Sequence, residues 1–596
     1  MVYKDKCDMP GVPGRRKVRM VCKGFMEHAG EYGCVWAPVT RHETCRMFFC
    51  RAAREHLKMR SIDVCSAFLT APLQRPVYMK APEGHEREGY VCRVRQACYG
   101  LCDAPRAFYT DFRQFLKTRK IEPTDQDPCL YKSSNPSYPS VWILQYVDDL
   151  QIQGTDADIS AFVADLQSKY KIRDYGEPRS FIGMEIARTE HTITLTQSEY
   201  IRQMAARFGL LDSNYVSTPM DSSSLLSAQD DADTKPDATL YRSMVGSLMY
   251  AQCLTMPGLS FPVMSLSRYL ANPTHAHVNA AKRAIAWAFH HRHIGITYDA
   301  RIAPDLTMYS DANWACCLDT RRSTSGRISM LCGGAISWAS HMQRTVATSS
   351  AESEYAAASD CCAEALWLRR LYAALFNKNH AQLPPTLIYV DNKAAERWCY
   401  NPQNHAKQKH IDIAYHFVRE QVVEFKTISV VPIASADNIA DIGTKPLPFP
   451  TFEKLIRIIM NLGDRSLRAP SRSTSTAPGE SVQAASSSDE QAQLSASPIP
   501  LPTPAPTPLP TQAASGSLAQ SQQQSQVGSS RTPTCVPTPT PTFARTPTPT
   551  PTWTIQKQKA KNSLESIRCS LRSSRSSGHF RASPYHCPFP ADERGC

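Results

Sequence analysis

The sequence predicts a mixed protein of the α+β or α/β class, with at least two ordered domains followed by a disordered tail. Three observations carry this expectation. Short apolar or alternating runs bounded by turn residues mark strands, and long stretches with apolar residues on one 3.6-residue stripe mark helices. Near Pro470 the composition then changes abruptly.

The elements follow in order. "SVWILQYV" (Ser140–Val147) and "GRISMLCGGAISWAS" (Gly326–Ser340) read as strands, being rich in β-branched and aromatic residues. "AESEYAAASDCCAEALWLRRLYAAL" (Ala351–Leu375) reads as a long amphipathic helix. A second helix is predicted in "HIDIAYHFVREQVV", where Ile411, Tyr415, Val418 and Val422 share a stripe. "ADNIADIGTKPLPFP" holds a short helix that its prolines are expected to end. Beyond Pro470, "PIPLPTPAPTPLPTQ" and "TPTPTPTFARTPTPTPTW" lack the backbone donors that helix or sheet requires, so 470–596 is expected to be extended and disordered.

Charge and cysteine narrow the function classes. Lys and Arg number 67 against 54 Asp and Glu, a formal net charge of +13, which favours a polyanionic partner such as nucleic acid. No apolar run is long enough to span a bilayer and no leader is visible at the start, so a soluble intracellular protein (cytoplasmic or nuclear) without a membrane partner is expected. The 21 cysteines lack paired C-x-x-C frames and read as reduced, mostly buried thiols. Cys569, His579, His586 and Cys587 have metal-ligand chemistry without a familiar spacing, as chance in a biased tail produces.

The chemistry is expected in two sets of acids. Asp148 and Asp149 interrupt "WILQYVDDLQIQG", a run otherwise suited to a strand. Adjacent carboxylates repel, so the pair predicts a hairpin tip that presents both to a divalent cation. Asp63, which ends the apolar strand in "MRSIDVCSAFLTAPL", is the candidate third acid. The second set comprises Asp311 inside a strand, Asp391 at a strand–helix junction, Asp441 on a short helix and Glu354 on the long helix. Glu352 lies three residues after Ser349 and fits a capping box. That leaves Glu354, about 200° round the helix from Glu352, for the metal.

The motifs "RRKVRMVCKGF", "SIDVCSAFLTAPLQRPVYMKAPEG", "ACYGLCDAPRAFY", "QYVDDL", "FIGMEI" and "YRSMVGSLMY" occur in succession. This series resembles the reverse transcriptase region of copia-type retrotransposon Pol polyproteins over about residues 1–465. The resemblance implies a right-hand polymerase with fingers and palm in 1–205, thumb or connection in 206–300, an α/β ribonuclease H-like domain in 301–446, and a terminal helix in 447–469. It implies that Asp63, Asp148 and Asp149 hold two Mg²⁺ ions (Mn²⁺ being an alternative) for DNA synthesis, and that Asp311, Glu354, Asp391 and Asp441 hold two more for cutting RNA. Lys17 and Arg19 then match positions that hold the incoming triphosphate, with surface charge as the plainer reading. Phe68 matches a gate against the ribose 2′-hydroxyl, with a core aromatic as its plainer reading, and Gly183 centres a primer-gripping hairpin. His410 matches a residue that assists product release, or is simply solvated. The implied partners are an RNA template, a DNA or RNA primer, deoxynucleoside triphosphates and an RNA–DNA hybrid.

Several positions depart from the family pattern. Cys102-Asp103 replaces Lys-Gln, Gln145, Gln151 and Gln153 replace apolar residues, and "TMPGLSFP" replaces an Arg-Pro-Asp start. Buried amides without partners would cost about 1–3 kcal/mol each. The chain also begins within the fingers, lacks upstream protease and integrase, and ends in a tail that read-through would explain. A second function class therefore stands beside the enzyme, a truncated inactive remnant that binds nucleic acid. In a third, the Pro-rich tail is itself the working part, a ligand for aromatic-lined grooves.

Overall fold

A computed structural model describes residues 2–6, 15–28, 30, 32–82, 84–223, 226–228, 235–401 and 412–463, without side chains for 2–6, 15–19 and 412–415. His410, the four-residue Cys/His group of the tail and the tail itself lie outside the described residues. The described residues up to 75 and from 95 onward form one compact unit, and those of 76–94 belong to another.

The chain opens with an antiparallel pair, β1 (Val2–Lys6) and β2 (Arg15–Arg19). There follow α1 (His42–Arg54), β3 (Lys58–Val64), β4 (Pro72–Met79), β5 (Cys92–Gln96), α2 (Ala104–Thr118), β6 (Ile121–Pro123), β7 (Leu130–Ser133), β8 (Trp142–Tyr146), β9 (Asp149–Gly154), α3 (Asp156–Gln167) and β10 (Ile172–Asp174). Six of these strands form an antiparallel sheet in the order β10-β3-β9-β8-β7-β6. Side chains alternate across it, as a strand's two-residue period requires. Leu130, Trp142 and Leu144 join Phe48 and Phe49 of α1 in one core, while Tyr131 meets Phe112 of α2 edge-on.

A four-stranded sheet comes next: β11 (Ser180–Phe181), β12 (Met184–Arg188), β13 (Thr192–Thr196) and, after the helices α4 (Ser198–Arg207), α5 (Ala238–Leu254), α6 (Ser260–Ser267) and α7 (His275–His290), β14 (Ile296–Asp299). The third sheet has the order β17-β16-β15-β18-β19. It is built from β15 (Thr307–Asn313), β16 (Thr324–Leu331), β17 (Gly334–Met342), β18 (Thr386–Val390) and β19 (Ile428–Pro432). The first three strands are antiparallel, whereas β15, β18 and β19 run parallel. Parallel pairing needs crossovers; α8 (Ser350–Leu375) and α9 (Lys393–Tyr400) with α10 (Asp412–Arg419) lie in them, and α11 (Phe449–Met460) follows the sheet.

Two local expectations are refined. The helix predicted through Val423 is α-helical only to Arg419 and continues as a π-turn, Glu420–Glu424. The prolines of "TKPLPFP" close one element and open another. A 3₁₀ turn spans Ile439–Gly443, and Pro448 caps α11, whose second residue is Pro450. A proline in a first turn costs no hydrogen bond, because its missing N–H would be unpaired there anyway.

One buried cluster runs from Cys45 of α1 through α5, α7, β17 and α8 to α11. Arg46 ties these parts together. Its guanidinium is buried, lies over Trp338 at 4.0 Å, and donates to the carbonyls of Ile336 (2.6 Å), Cys253 (2.7 Å) and Leu254 (3.0 Å). The sheets that carry the two acid sets thus share a core.

Candidate metal centres

The first acid set forms where two strands of the six-stranded sheet meet a tight turn. Tyr146 pairs with Asp149 across β8 and β9, leaving Val147 and Asp148 as the turn. Val147 adopts φ +54°, a strained value for a β-branched residue and the price of so short a reversal. On the other side, Asp149 pairs with Asp63 of β3, and the Val64 N–H donates to the Asp148 carbonyl at 2.9 Å. The expected hairpin tip is present, and Asp63 stands beside it.

Loss of water around its carboxylate, then repulsion from Asp148 and Asp63, push the Asp149 pKa up to about 7. The outer face of Asp149 is solvent-exposed. Water on that face screens part of the repulsion, so burial of the opposite side is the larger cause of the shift. A site that favours a proton on an acid this close to two others also favours a divalent cation.

The second set is tighter. Asp311, Asp391 and Asp441 each offer an oxygen within 4.8 Å of the other two, the one such group of three or more acid, histidine or cysteine ligands among the described residues. Asp311 lies in β15, Asp391 follows β18 on the parallel neighbour, and Asp441 sits in the 3₁₀ turn Ile439–Gly443. That turn is anchored by Asn438, whose side chain donates to the Ser310 carbonyl at 2.9 Å. Thr444 donates from its hydroxyl to Asp311 Oδ2.

Glu354 comes from the first turns of α8. Burial first, then the charges of Asp311 and Asp391, raise its pKa to about 10, and its Oε2 is buried without a hydrogen-bond partner. Asp311 is raised to about 7 by burial and by Asp441. An orphaned carboxylate oxygen aimed among acids fits a missing cation. Glu352 is placed otherwise, as its capping role predicts. Ser349 accepts from the Glu352 N–H at 3.2 Å, but the Glu352 carboxylate reaches one residue further back than a capping box, to the N–H (2.8 Å) and hydroxyl (2.6 Å) of Thr348.

Sequence reasoning missed Lys445. Its ammonium lies 2.8 Å from Asp441 Oδ1 and also lowers the pKa values of Asp311, Glu354 and Asp391. The available signal was spacing, since Asp441 and Lys445 stand four apart.

The other candidates are placed as follows. Phe68 is half-buried in the 3₁₀ turn Ala67–Thr70, with ring centroids 5.0 Å from Tyr99 and 6.5 Å from Phe108. Gly183 occupies a two-residue turn between β11 and β12 at φ +77°. Lys17 and Arg19 lie in β2, and their side chains are outside the described residues.

The expected cost of the departures is reduced but not removed, because each of those groups has at least one partner. Gln145 accepts from Tyr131 Oη (2.8 Å) and donates to the Val147 carbonyl (3.0 Å). Gln151 donates to Ser61 Oγ and Gln153 to the Phe48 carbonyl, although each keeps a buried oxygen unpaired. Thr255 donates to Gln197. Asp103 is neutralised by Arg75 at 2.7 Å, a guanidinium that also binds Glu27.

Comparison with known proteins gives a consistent result. The family model for reverse transcriptase (RNA-dependent DNA polymerase) matches residues 1–222. Over 470 residues the chain is 34% identical to the retrovirus-related Pol polyprotein from transposon TNT 1-94 of Nicotiana tabacum, covering 76% of the chain and 34% of that protein. It is 35% identical over 465 residues to the corresponding polyprotein from transposon RE2 of Arabidopsis thaliana, covering 77% and 31%. The chain therefore spans about a third of the length of these curated relatives.

Proposed function

The chain belongs to the reverse transcriptase family of copia-type retrotransposon Pol polyproteins, and from that membership we propose that it is an RNA-directed DNA polymerase that also degrades the RNA of an RNA–DNA hybrid. The observation that carries the polymerase reading is the register that sets Asp63 against Asp149 with Asp148 in the adjoining turn. In this reading the three aspartates hold Mg²⁺, which when bound supplies positive charge to the primer 3′-hydroxyl and the transferring phosphate. Phe68 closes the pocket for the sugar and excludes a 2′-hydroxyl, Lys17 and Arg19 hold the triphosphate, and the Gly183 turn holds the primer.

The ribonuclease reading rests on the acids around Asp311. Asp311, Glu354, Asp391 and Asp441 hold the cations, and the buried Glu354 oxygen gains its partner when one binds. The division into fingers and palm (1–205), thumb or connection (206–300), ribonuclease H-like part (301–446) and terminal helix (447–469) belongs to the same proposal. An intracellular protein acting on nucleic acid follows from the family. Among the described residues no helix is long and apolar enough to cross a membrane.

The test is Mg²⁺-dependent extension of a DNA primer on an RNA template by the full chain, compared with Asp148→Asn. Extension that the variant loses supports the polymerase reading; equal, background incorporation by both leaves the nucleic-acid-binding remnant. Hybrid degradation, lost in Asp311→Asn but kept in Asp148→Asn, tests the second centre separately.

A further inference from the structure

The turn between β11 and β12 is built from an unfavourable backbone. Ile182 and Gly183 adopt φ +42° and +77°. A turn with both central residues left-handed suits glycine or asparagine, and a β-branched isoleucine resists it. Such strain persists only where neighbouring groups hold it. Here the neighbour is Tyr250 of α5. Its hydroxyl donates to the Ile182 carbonyl at 2.9 Å, and a Cβ added to Gly183 would stand 2.2 Å from that same oxygen. The Tyr250 ring is itself fixed, 4.7 Å from the Tyr200 ring, while Tyr200 donates to the Ser247 carbonyl at 3.0 Å.

The same turn leans on the acidic hairpin. Phe181 meets Tyr146 edge-on with centroids 6.4 Å apart, and Tyr146 is the residue paired with Asp149. Three elements therefore meet at one point: the turn bearing Asp148, the turn bearing Gly183, and helix α5. Tyr250 bridges the last two by its hydroxyl.

We propose that Tyr250 is a positioning residue for the primer terminus: its hydroxyl locks the strained Ile182–Gly183 turn beside the Asp148–Asp149 carboxylates, so that the primer strand's 3′-terminal sugar-phosphate is presented to them. The inference rests on the polymerase reading above. It also accounts for the glycine at 183, since any side chain there displaces the lock. Because Tyr250 belongs to α5, a shift of that helix is transmitted to the primer seat.

The experiment uses the full chain and a fluorescently labelled RNA template, either single-stranded or carrying a recessed DNA primer, with Ca²⁺ and no nucleotide. Wild type binds the recessed primer more tightly than the single strand. Tyr250→Phe, which keeps the ring and removes one hydrogen bond, lowers affinity for the recessed primer about tenfold and leaves the single strand unchanged. Amide exchange over residues 180–186 quickens in the variant. Ile182→Gly in the Tyr250→Phe background restores the preference, because glycine adopts the turn without strain. An unchanged preference in Tyr250→Phe overturns the inference and leaves the polymerase reading intact. Equal weakening toward both probes also overturns it, as general damage. A wild-type chain with no preference for the recessed primer overturns the polymerase reading and this inference with it.

Discussion

Glu354→Gln should make the cation-free protein more stable at neutral pH while destroying the second metal centre. The native carboxyl, raised to about 10 by burial and by Asp311 and Asp391, keeps its proton at pH 7.5, whereas the unfolded group releases it near 4.5. Folding in that window therefore captures a proton at a cost. The group's stability contribution is complete below about pH 4.5 and is lost progressively as pH rises toward about 10. At pH 7.5 the upper bound is about 4 kcal/mol, at about 1.36 kcal/mol per unit. Neighbouring Asp311 shares the proton and Lys445 offsets part of the repulsion, so about 2–3 kcal/mol is expected. Glutamine resembles the protonated acid and carries no such penalty. Urea unfolding in EDTA should show the variant more stable by that amount at pH 7.5 and nearly equal to wild type at pH 5. Added Mg²⁺ should stabilise wild type and close the gap. If the variant is less stable at pH 7.5, or shifted equally at both pH values, the carboxyl is a structural hydrogen-bonding group and the metal reading of this cluster fails.

Three further outcomes are expected. Because the Asp149 pKa is raised to about 7, the Mg²⁺ concentration for half-maximal primer extension should rise as pH falls below 7, and a constant requirement between pH 6 and 8 would contradict this. Phe68→Ala should admit ribonucleotides into the product and also cost about 2 kcal/mol, since the ring packs on Tyr99; unchanged sugar selection in single-nucleotide incorporation would leave Phe68 a core residue. Arg46→Met removes three bonds to buried carbonyls and the contact over Trp338, and should destabilise by about 3–5 kcal/mol in denaturant unfolding; a loss under 1 kcal/mol would mean the shared core does not depend on this clamp.

Local pattern foretold much of the architecture. An acidic pair between apolar runs became the β8–β9 turn, and the long amphipathic run became α8. Glu354 rather than Glu352 faces the acids, as the capping position implied, because the Glu352 carboxylate is taken up by the N–H and hydroxyl of Thr348. The partners of the atypical residues were not foreseen. Gln145 finds Tyr131 and Asp103 finds Arg75, contacts that no spacing rule connects. The same holds for Arg46, whose acceptors lie more than two hundred residues away.

The division has a physical origin. Strand, turn and helix follow from backbone preferences and side-chain periods that act over a few residues, so these, and the positions of the acids upon them, can be read along the chain. Which carboxylate keeps its proton, which buried amide is satisfied, and how Tyr250 comes to hold the Gly183 turn depend on desolvation and on groups brought close only by packing. Those forces fall off within a few ångströms in space and carry no trace in sequence distance.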